Sequence, residues 1–190
     1  MVAVQPRRFI VSEYHRMSEL GILHPTERTE LIAGEIISMA AKGTAHASAV
    51  LLTQDLFKEG LGRRVFVKSQ DPIHLSDTSE PEPDIVIARR DPLAYSTHHP
   101  TPAEILLVIE VADSSLNYDL KTKAPLYAQA RIADYWVLDV IARQLYVFRQ
   151  PAAGQYQSQT ILAESLKIAP LAFTDFVIQV AQMLPPQISP

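Results

Sequence analysis

A run of branched apolar residues from Ile105 to Val111 constrains the fold more than any other part of the chain. Such a nearly continuous run is typical of a strand inside a sheet that is covered on both faces. A shorter apolar run, Ile85 to Ala88, comes before it and is separated from it by a loop. Each run carries one carboxylate: Asp84 opens the first, and Glu110 lies near the end of the second. We therefore expect two buried strands with one acid each.

The periodicity of the rest of the chain predicts a mixed α/β (α+β) fold, because helical and strand-like segments are interspersed. Helical spacing covers residues 9–20 and 45–59. Strand-like runs predict a hairpin over 29–39 turning at Ala33-Gly34, a strand over 64–70 that can resume at 73–75, a hairpin over 134–149 and a more exposed strand over 156–161. Residues 171–184 predict a closing helix or a strand followed by a helix. We expect a single domain over 1–190, with a core from about 9 to 184 and a frayed tail at 185–190.

Composition excludes several classes of protein. The chain has no cysteine, which rules out disulfides and thiolate zinc sites and fits a reducing cytoplasm. No apolar run approaches the roughly 18 residues that a membrane span needs, and the first residues lack the apolar segment of a secretory signal. The net charge of −4 argues against tight non-specific DNA binding, since phosphate contacts require a local excess of basic residues.

The two strand acids suggest a site for a divalent metal. If the strands are neighbours, Asp84 and Glu110 can hold one Mg²⁺ through oxygen ligands, and Lys123 on the next element can stabilise charge on a phosphate or orient a water. However, a lone acid at a strand end is more often solvated or paired with a cation. Spacing alone leaves both interpretations open.

The segment from 83 to 139, with PDIVIA, EILLVIEVADSS and YDLKTKAPLYAQARIADYWVLD, resembles the Uma2 family (DUF820), which is numerous in cyanobacteria. EYHRMSELGIL and TELIAGEI extend the resemblance over roughly residues 9–150. The resemblance implies a restriction-endonuclease-like mixed sheet flanked by helices, within the PD-(D/E)XK nuclease-like superfamily.

The resemblance also implies a magnesium site, with Mn²⁺ as a substitute. Asp84 and Glu110 fall on the metal-binding positions, and Lys123 falls on the catalytic lysine, displaced onto the following helix because Ala112 stands where the compact motif has lysine. Glu30 resembles the superfamily's auxiliary N-terminal acid, although an acid at a hairpin edge is an equally good interpretation.

Pro125 complicates the position of Lys123, because proline inside a helix costs about 3 kcal/mol. The helix then begins near Ala124, or it is kinked. Lys121 is the reserve candidate for the catalytic ammonium and a candidate substrate contact. Gln70 and Tyr127 are further candidate substrate contacts, with core packing the stronger expectation for Tyr127.

Other chemistries have less support. His98-His99 lies in a proline-rich loop without further zinc ligands at a recognisable spacing. His46 begins a helix and could face the site, but a capping or surface role is the stronger expectation. No glycine-rich loop predicts a nucleotide cofactor.

We therefore expect a cytoplasmic Mg²⁺-dependent DNA endonuclease, homodimeric through strand edges of the hairpin around 135–149, with no membrane partner. The alternative is a catalytically inactive dimer of the same fold that binds nucleic acid or protein as a regulatory module.

Overall fold

The computed structural model describes residues 5–24, 26–39 and 41–187, and its elements follow the predicted order. The helices are α1 (Val11–Glu19), α2 (Thr44–Leu61), α3 (Leu116–Tyr118) and α4 (Ala124–Gln129), with a π-helical turn at Asp119–Lys123 and 3₁₀ turns at Gly62–Arg64 and Val180–Met183. The strands are β1 (Thr29–Ile32), β2 (Glu35–Ser38), β3 (Phe66–Ser69), β4 (Ile85–Ala88), β5 (Ile105–Ala112), β6 (Asp134–Asp139), β7 (Gln144–Ala152), β8 (Gln155–Ala163), β9 (Lys167–Ile168) and β10 (Ile178–Gln179). No helix in these described ranges has the length and apolarity needed to cross a bilayer.

The main sheet has six strands in the order β3-β4-β5-β6-β7-β8. The β5–β6 pair is parallel, and the helical segment between these strands makes the crossover that parallel pairing requires. The other pairs are antiparallel. Nearly every residue of β5 is buried, because it lies inside the sheet and is covered on both faces. The predicted fold class and central strand are confirmed.

Alternation along β5 divides the core into two layers. Leu107, Ile109 and Val111 pack on the side of α2, together with Val50 and Phe57 of that helix. Val108 and Ala112 pack on the opposite side, together with residues of α4. Because side chains alternate along a strand, Glu110 shares the face of Val108 and points toward the segment that contains α3 and α4.

The hairpin predicted over 134–149 forms as β6 and β7, but neither strand lies at an edge of the sheet. The strand β6 pairs with β5 on its other side, and β7 pairs with β8. The expectation that this hairpin offers free edges is therefore wrong, because the strands before and after it in the chain occupy both of its sides. The sheet ends at β3 and β8 instead.

Two other segments differ from expectation. Residues 73–75 do not resume a strand, because the amides of Ile73, His74 and Leu75 donate to Pro81, Pro100 and Ser79, which do not form one ladder. Within 171–184, only β10 and the 3₁₀ turn at Val180–Met183 are regular. The tail is irregular over 185–187, and 188–190 lie outside the described residues.

The helix α4 begins at Ala124 with Pro125 in its first turn, which is one of the two expected arrangements, but helical turns already precede it. Helical backbone starts at Leu116, and the turn before α4 widens into π geometry, with the Ala124 amide bonded to the Asp119 carbonyl. Proline cannot donate a helical hydrogen bond, and its ring clashes with the carbonyl four residues earlier in an α-helix. The wider turn directly before α4 accommodates Pro125 in the first turn of that helix.

The hairpin β1–β2 depends on Gly34, which has φ +79° beside Ala33 at φ +49°. A Cβ atom on Gly34 would lie 2.6 Å from Arg8 Cβ, whereas Gly21, at φ +70°, has open space around it. We expect Gly34→Ala to lower the free energy of unfolding by about 2–4 kcal/mol, because backbone strain and overpacking add. Gly21→Ala should cost about 1–2 kcal/mol from strain alone. Urea unfolding measures both variants, and equal losses would contradict the role of the Arg8 contact.

Candidate active site

The register of β4 and β5 brings the two predicted acids together. Ile85 pairs with Ile109 in an antiparallel ladder, so Asp84 and Glu110 are the next residues in register. The Asp84 amide donates to Glu110 Oε2 at 3.3 Å. Both carboxylates are buried and line one cavity of about 270 Å³.

Lys123 lies against these acids because the π-helical turn directs it inward. Its Nζ is 2.9 Å from Glu110 Oε1 and 3.3 Å from Glu30 Oε2, and its side chain is 5% exposed. Glu30 comes from β1, outside the main sheet, and also accepts a hydrogen bond from the Glu82 amide. The structure thus brings Asp84, Glu110, Lys123 and Glu30 to one cavity.

The other predicted substrate contacts are not among the described residues that line the cavity. Tyr127 is fully buried, and its hydroxyl donates to Glu110 Oε1 at 2.8 Å. This corrects its assignment as a substrate contact, because the side chain presents no surface and instead orients Glu110. Lys121 is exposed, and neither it nor Gln70 is among the described residues lining the cavity. Gln70 contacts the site only through its amide, which donates to the Asp84 carbonyl.

Lys42 and His46 also contact Asp84, although sequence reasoning gave Lys42 no role. Lys42 Nζ lies 3.0 Å from Asp84 Oδ1. His46 Nε2 and the Val111 amide each lie 3.0 Å from Oδ2. The expected capping or surface role of His46 is therefore wrong: the ring is buried on α2 and faces the acid.

The helical segment that carries Lys123 adds two further groups to the cavity wall. Asp119 is buried and accepts a hydrogen bond from Ser115 Oγ at 2.6 Å. The hydroxyl of Tyr118 is buried without a hydrogen-bond partner among the described residues. A buried hydroxyl usually finds a partner, so the Tyr118 hydroxyl could pair with a bound molecule if the cavity wall shifts to expose it.

Buried negative charge predominates in this cavity. Its lining includes five carboxylates, two lysines and one histidine: Glu30, Asp84, Glu110, Asp113, Asp119, Lys42, Lys123 and His46. Burial raises the pKa of Glu110 to about 8, and the neighbouring carboxylates add to the increase against the opposing charge of Lys123. Burial likewise raises the pKa of Asp119 to about 6. These acids therefore hold protons more tightly than solvated acids do.

The pKa values of Asp84 and Lys123 are shifted in the direction that favours the charged form of each group. Burial opposes ionisation of Asp84, but the hydrogen bond and charge of His46, with the Lys42 ammonium, outweigh it and lower the pKa to about 2. Burial also opposes the charge on Lys123, but Glu110, Glu30 and Asp119 outweigh it and raise its pKa. The site therefore contains an ionised aspartate and a protonated lysine near acids that resist ionisation.

This donor set fits a hard divalent cation. Such ions prefer carboxylate oxygens, and a buried cluster in which acids outnumber lysines lacks compensating positive charge. A cation entering the cavity would supply that charge, and it would displace the proton that Glu110 retains because of its raised pKa.

A second cluster lies in the loop between β4 and β5. Asp91, His98 and Glu104 each direct one possible ligand atom to within 4.8 Å of the others. His98 Nε2 is 3.1 Å from Glu104 Oε1, and Thr101 donates to the other Glu104 oxygen. The sequence singled out His98 but not the acids that it meets. These contacts close the loop upon itself.

Comparisons with known proteins agree with this architecture. A family model, Uma2, described as "Putative restriction endonuclease", matches residues 11–181. The fold is similar to the crystal structure of "a putative nuclease belonging to DUF820" from Anabaena variabilis ATCC 29413, with a TM-score of 0.71 and 14% sequence identity. The match covers 88% of this chain and 96% of that chain, and at this identity it shows the fold alone. None of the curated proteins matches the sequence.

Proposed function

The chain belongs to the Uma2 family, described as "Putative restriction endonuclease", and from this premise we propose that it is an Mg²⁺-dependent DNA endonuclease. The observation that supports this most strongly is the convergence of Asp84, Glu110 and Lys123 on one cavity, with a 2.9 Å contact between Lys123 and Glu110. A purely structural cluster would not need the cavity of about 270 Å³ beside it.

We assign the metal to Asp84 and Glu110, with Glu30 as an auxiliary acid. Bound there, Mg²⁺ (or Mn²⁺) would polarise the scissile phosphate and lower the pKa of the attacking water. Tyr127 and the Asp84 amide hold the two oxygens of Glu110 in fixed directions. Such second contacts fix the orientation of a ligand.

Lys123 is the positively charged side chain that lies beside Glu110. Its ammonium is buried beside Glu110 and stays protonated because the surrounding carboxylates raise its pKa. It is therefore suited to stabilise negative charge on phosphate oxygens, or to orient a water, without first acquiring a proton.

A homodimer remains part of this proposal, but its contact should involve a different strand from the hairpin β6–β7. The nine-residue strand β8 is at an edge of the sheet and pairs on one side only, with β7. Unpaired edges can join to a second copy. Two sites in such a dimer would allow both strands of a DNA duplex to be cut.

Plasmid cleavage tests the activity. Purified protein with Mg²⁺ should convert supercoiled plasmid to nicked and linear forms. Asp84→Asn should lower the rate by about 10³-fold, since loss of a metal ligand removes several kcal/mol of transition-state stabilisation. Cleavage that persists in Asp84→Asn would contradict the assignment. Absence of cleavage with any divalent metal would favour the inactive binding module, which the net charge of −4 also suits.

Tyr118 provides a test that separates function from stability. Its hydroxyl is buried with no partner in the described part of the chain, so Tyr118→Phe should raise the free energy of unfolding by about 1–3 kcal/mol, because it removes an unpaired buried group. If the hydroxyl binds a substrate phosphate, the same change should lower kcat/KM about tenfold, the equivalent of one hydrogen bond to a charged group. Chemical unfolding and cleavage kinetics measure the two effects, and unchanged kcat/KM would remove Tyr118 from the substrate site.

A further inference from the structure

The two oxygens of Asp84 are in different environments. Oδ2 receives the Val111 amide and His46 Nε2, each at 3.0 Å. The amide belongs to β5 and cannot leave without breaking the sheet. Oδ1 has Lys42 Nζ as its partner among the described residues. If a cation binds Asp84, Oδ1 is therefore the oxygen that it can take.

Lys42 lies on the segment between β2 and α2, and its ammonium is carried by a flexible four-carbon chain. It makes no other hydrogen bond to the described residues, and its side chain is 17% exposed. A divalent cation and an ammonium compete for the same carboxylate oxygen, because their positive charges repel at close range. An ion on Oδ1 should therefore weaken or break the contact with Lys42 while leaving His46 in place.

The displaced ammonium would still be near the cavity, because Lys42 lines it. Among the described lining residues, Lys42 and Lys123 are the two lysines, and Lys123 is already held by two carboxylates. A phosphate group entering the cavity would offer Lys42 a new anionic partner.

We propose that Lys42 couples metal binding to nucleic-acid binding: it neutralises Asp84 when the cavity is empty, and it transfers to a backbone phosphate when a divalent cation takes Asp84 Oδ1. This inference rests on the proposed function of the site. If only one ligand binds, either Lys42 leaves Asp84 and one of these two charges loses its partner, or Lys42 stays on Asp84 and does not assist that ligand. The two together give both charges a partner, so each should increase the affinity for the other by the same factor.

Mn²⁺ binding tests the coupling without relying on catalysis. Metal-free wild type and Lys42→Met are titrated with Mn²⁺, and free ion is followed by electron paramagnetic resonance, with and without a short DNA duplex carrying a phosphorothioate backbone. Lys42→Met should bind Mn²⁺ about fivefold more tightly without the duplex, the lower end of ordinary coupling between sites. The duplex should increase Mn²⁺ affinity in the wild type and much less in the variant.

Lys58→Met is the matched control, because Lys58 is exposed near the other end of α2 and is not among the described cavity residues. It should behave as the wild type does. If wild type and Lys42→Met bind Mn²⁺ equally, the coupling is wrong and the metal site stands. If Lys42→Met binds Mn²⁺ more tightly but the duplex increases its Mn²⁺ affinity as much as in the wild type, the coupling is also wrong. Lys42 would then weaken ion binding without responding to the duplex. If no variant binds Mn²⁺ saturably, the proposed metal site fails together with the inference.

Discussion

Lys123→Met is expected to produce the largest loss of stability of any single substitution in the site. The ammonium lies between Glu110 and Glu30, and all three side chains are almost completely buried. Removing one partner of a buried ion pair leaves uncompensated charge and costs about 3–5 kcal/mol. For a chain of this length, that loss lowers the Tm by roughly 6–20 °C. Cleavage should fall by at least about 10²-fold, as it does when a charge-stabilising donor is lost.

Lys121→Met is the control for this experiment. Lys121 belongs to the same π-helical turn but is exposed, so its substitution should change the free energy of unfolding by less than about 0.5 kcal/mol. Thermal unfolding in EDTA compares the two variants without interference from bound metal. Similar Tm values for both variants would mean that the carboxylates do not need Lys123 as a counter-charge.

Glu110→Gln should have opposite effects on stability and activity. Burial and neighbouring carboxylates raise the pKa of Glu110 to about 8, so a charged Glu110 destabilises the metal-free fold. The amide keeps an oxygen acceptor for Tyr127 and Lys123 without the charge, but its NH2 group replaces the oxygen that accepts from the Asp84 amide. We expect metal-free Glu110→Gln to be more stable than the wild type at neutral pH, because the unfolded wild type gains the ionisation of Glu110 that burial opposes in the folded state. Cleavage should fall by about 10³-fold, because a metal ligand is lost.

The same shift gives a pH dependence with a definite sign. An acid with a higher pKa in the folded state binds more protons when folded, so its contribution to stability falls as pH rises. For Glu110 the fall should run from the ordinary value of 4.5 to about 8. The stability difference between Glu110→Gln and wild type should therefore widen over that window. Denaturant unfolding in EDTA at several pH values measures it.

Glu59→Gln, which changes an exposed acid on α2, should show no such widening relative to the wild type. A constant difference between Glu110→Gln and the wild type across the window would contradict a raised pKa for Glu110. A less stable Glu110→Gln at neutral pH would show that the ion pair with Lys123 outweighs the burial of its charge.

The sequence predicted the features that depend on local pattern. The apolar run Ile105–Val111 predicted a central strand, because so many consecutive branched side chains are typical of a strand covered on both faces. The same pattern predicted that Asp84 and Glu110 each belong to a buried strand but left open whether the strands are neighbours, and the register of β4 and β5 shows that they are. The turn at Ala33-Gly34 followed from the conformational freedom of glycine.

Features that depend on distant parts of the chain could not be predicted in this way. Lys42 and His46 meet Asp84 across about forty residues, and no spacing rule relates them. The edges of the sheet depend on strand order, which periodicity does not report. The π-helical turn before Pro125 also has no periodic signature, since helical spacing predicts α geometry by default.

The hairpin β1–β2 forms one wall of the cavity, and the six-stranded sheet forms another. It forms a separate two-stranded sheet, and a backbone bridge from Leu31 to Glu80 fastens it to the loop before β4. Glu30 lies on its first strand, and Lys42 follows its second strand by a few residues. Asp84 and Glu110, by contrast, are anchored by the six-stranded ladder. If the hairpin and the segment after it tilted away from the sheet together, Glu30 and Lys42 would leave the cavity together. Their opposite charges would leave the net charge at the cavity unchanged while its entrance widened.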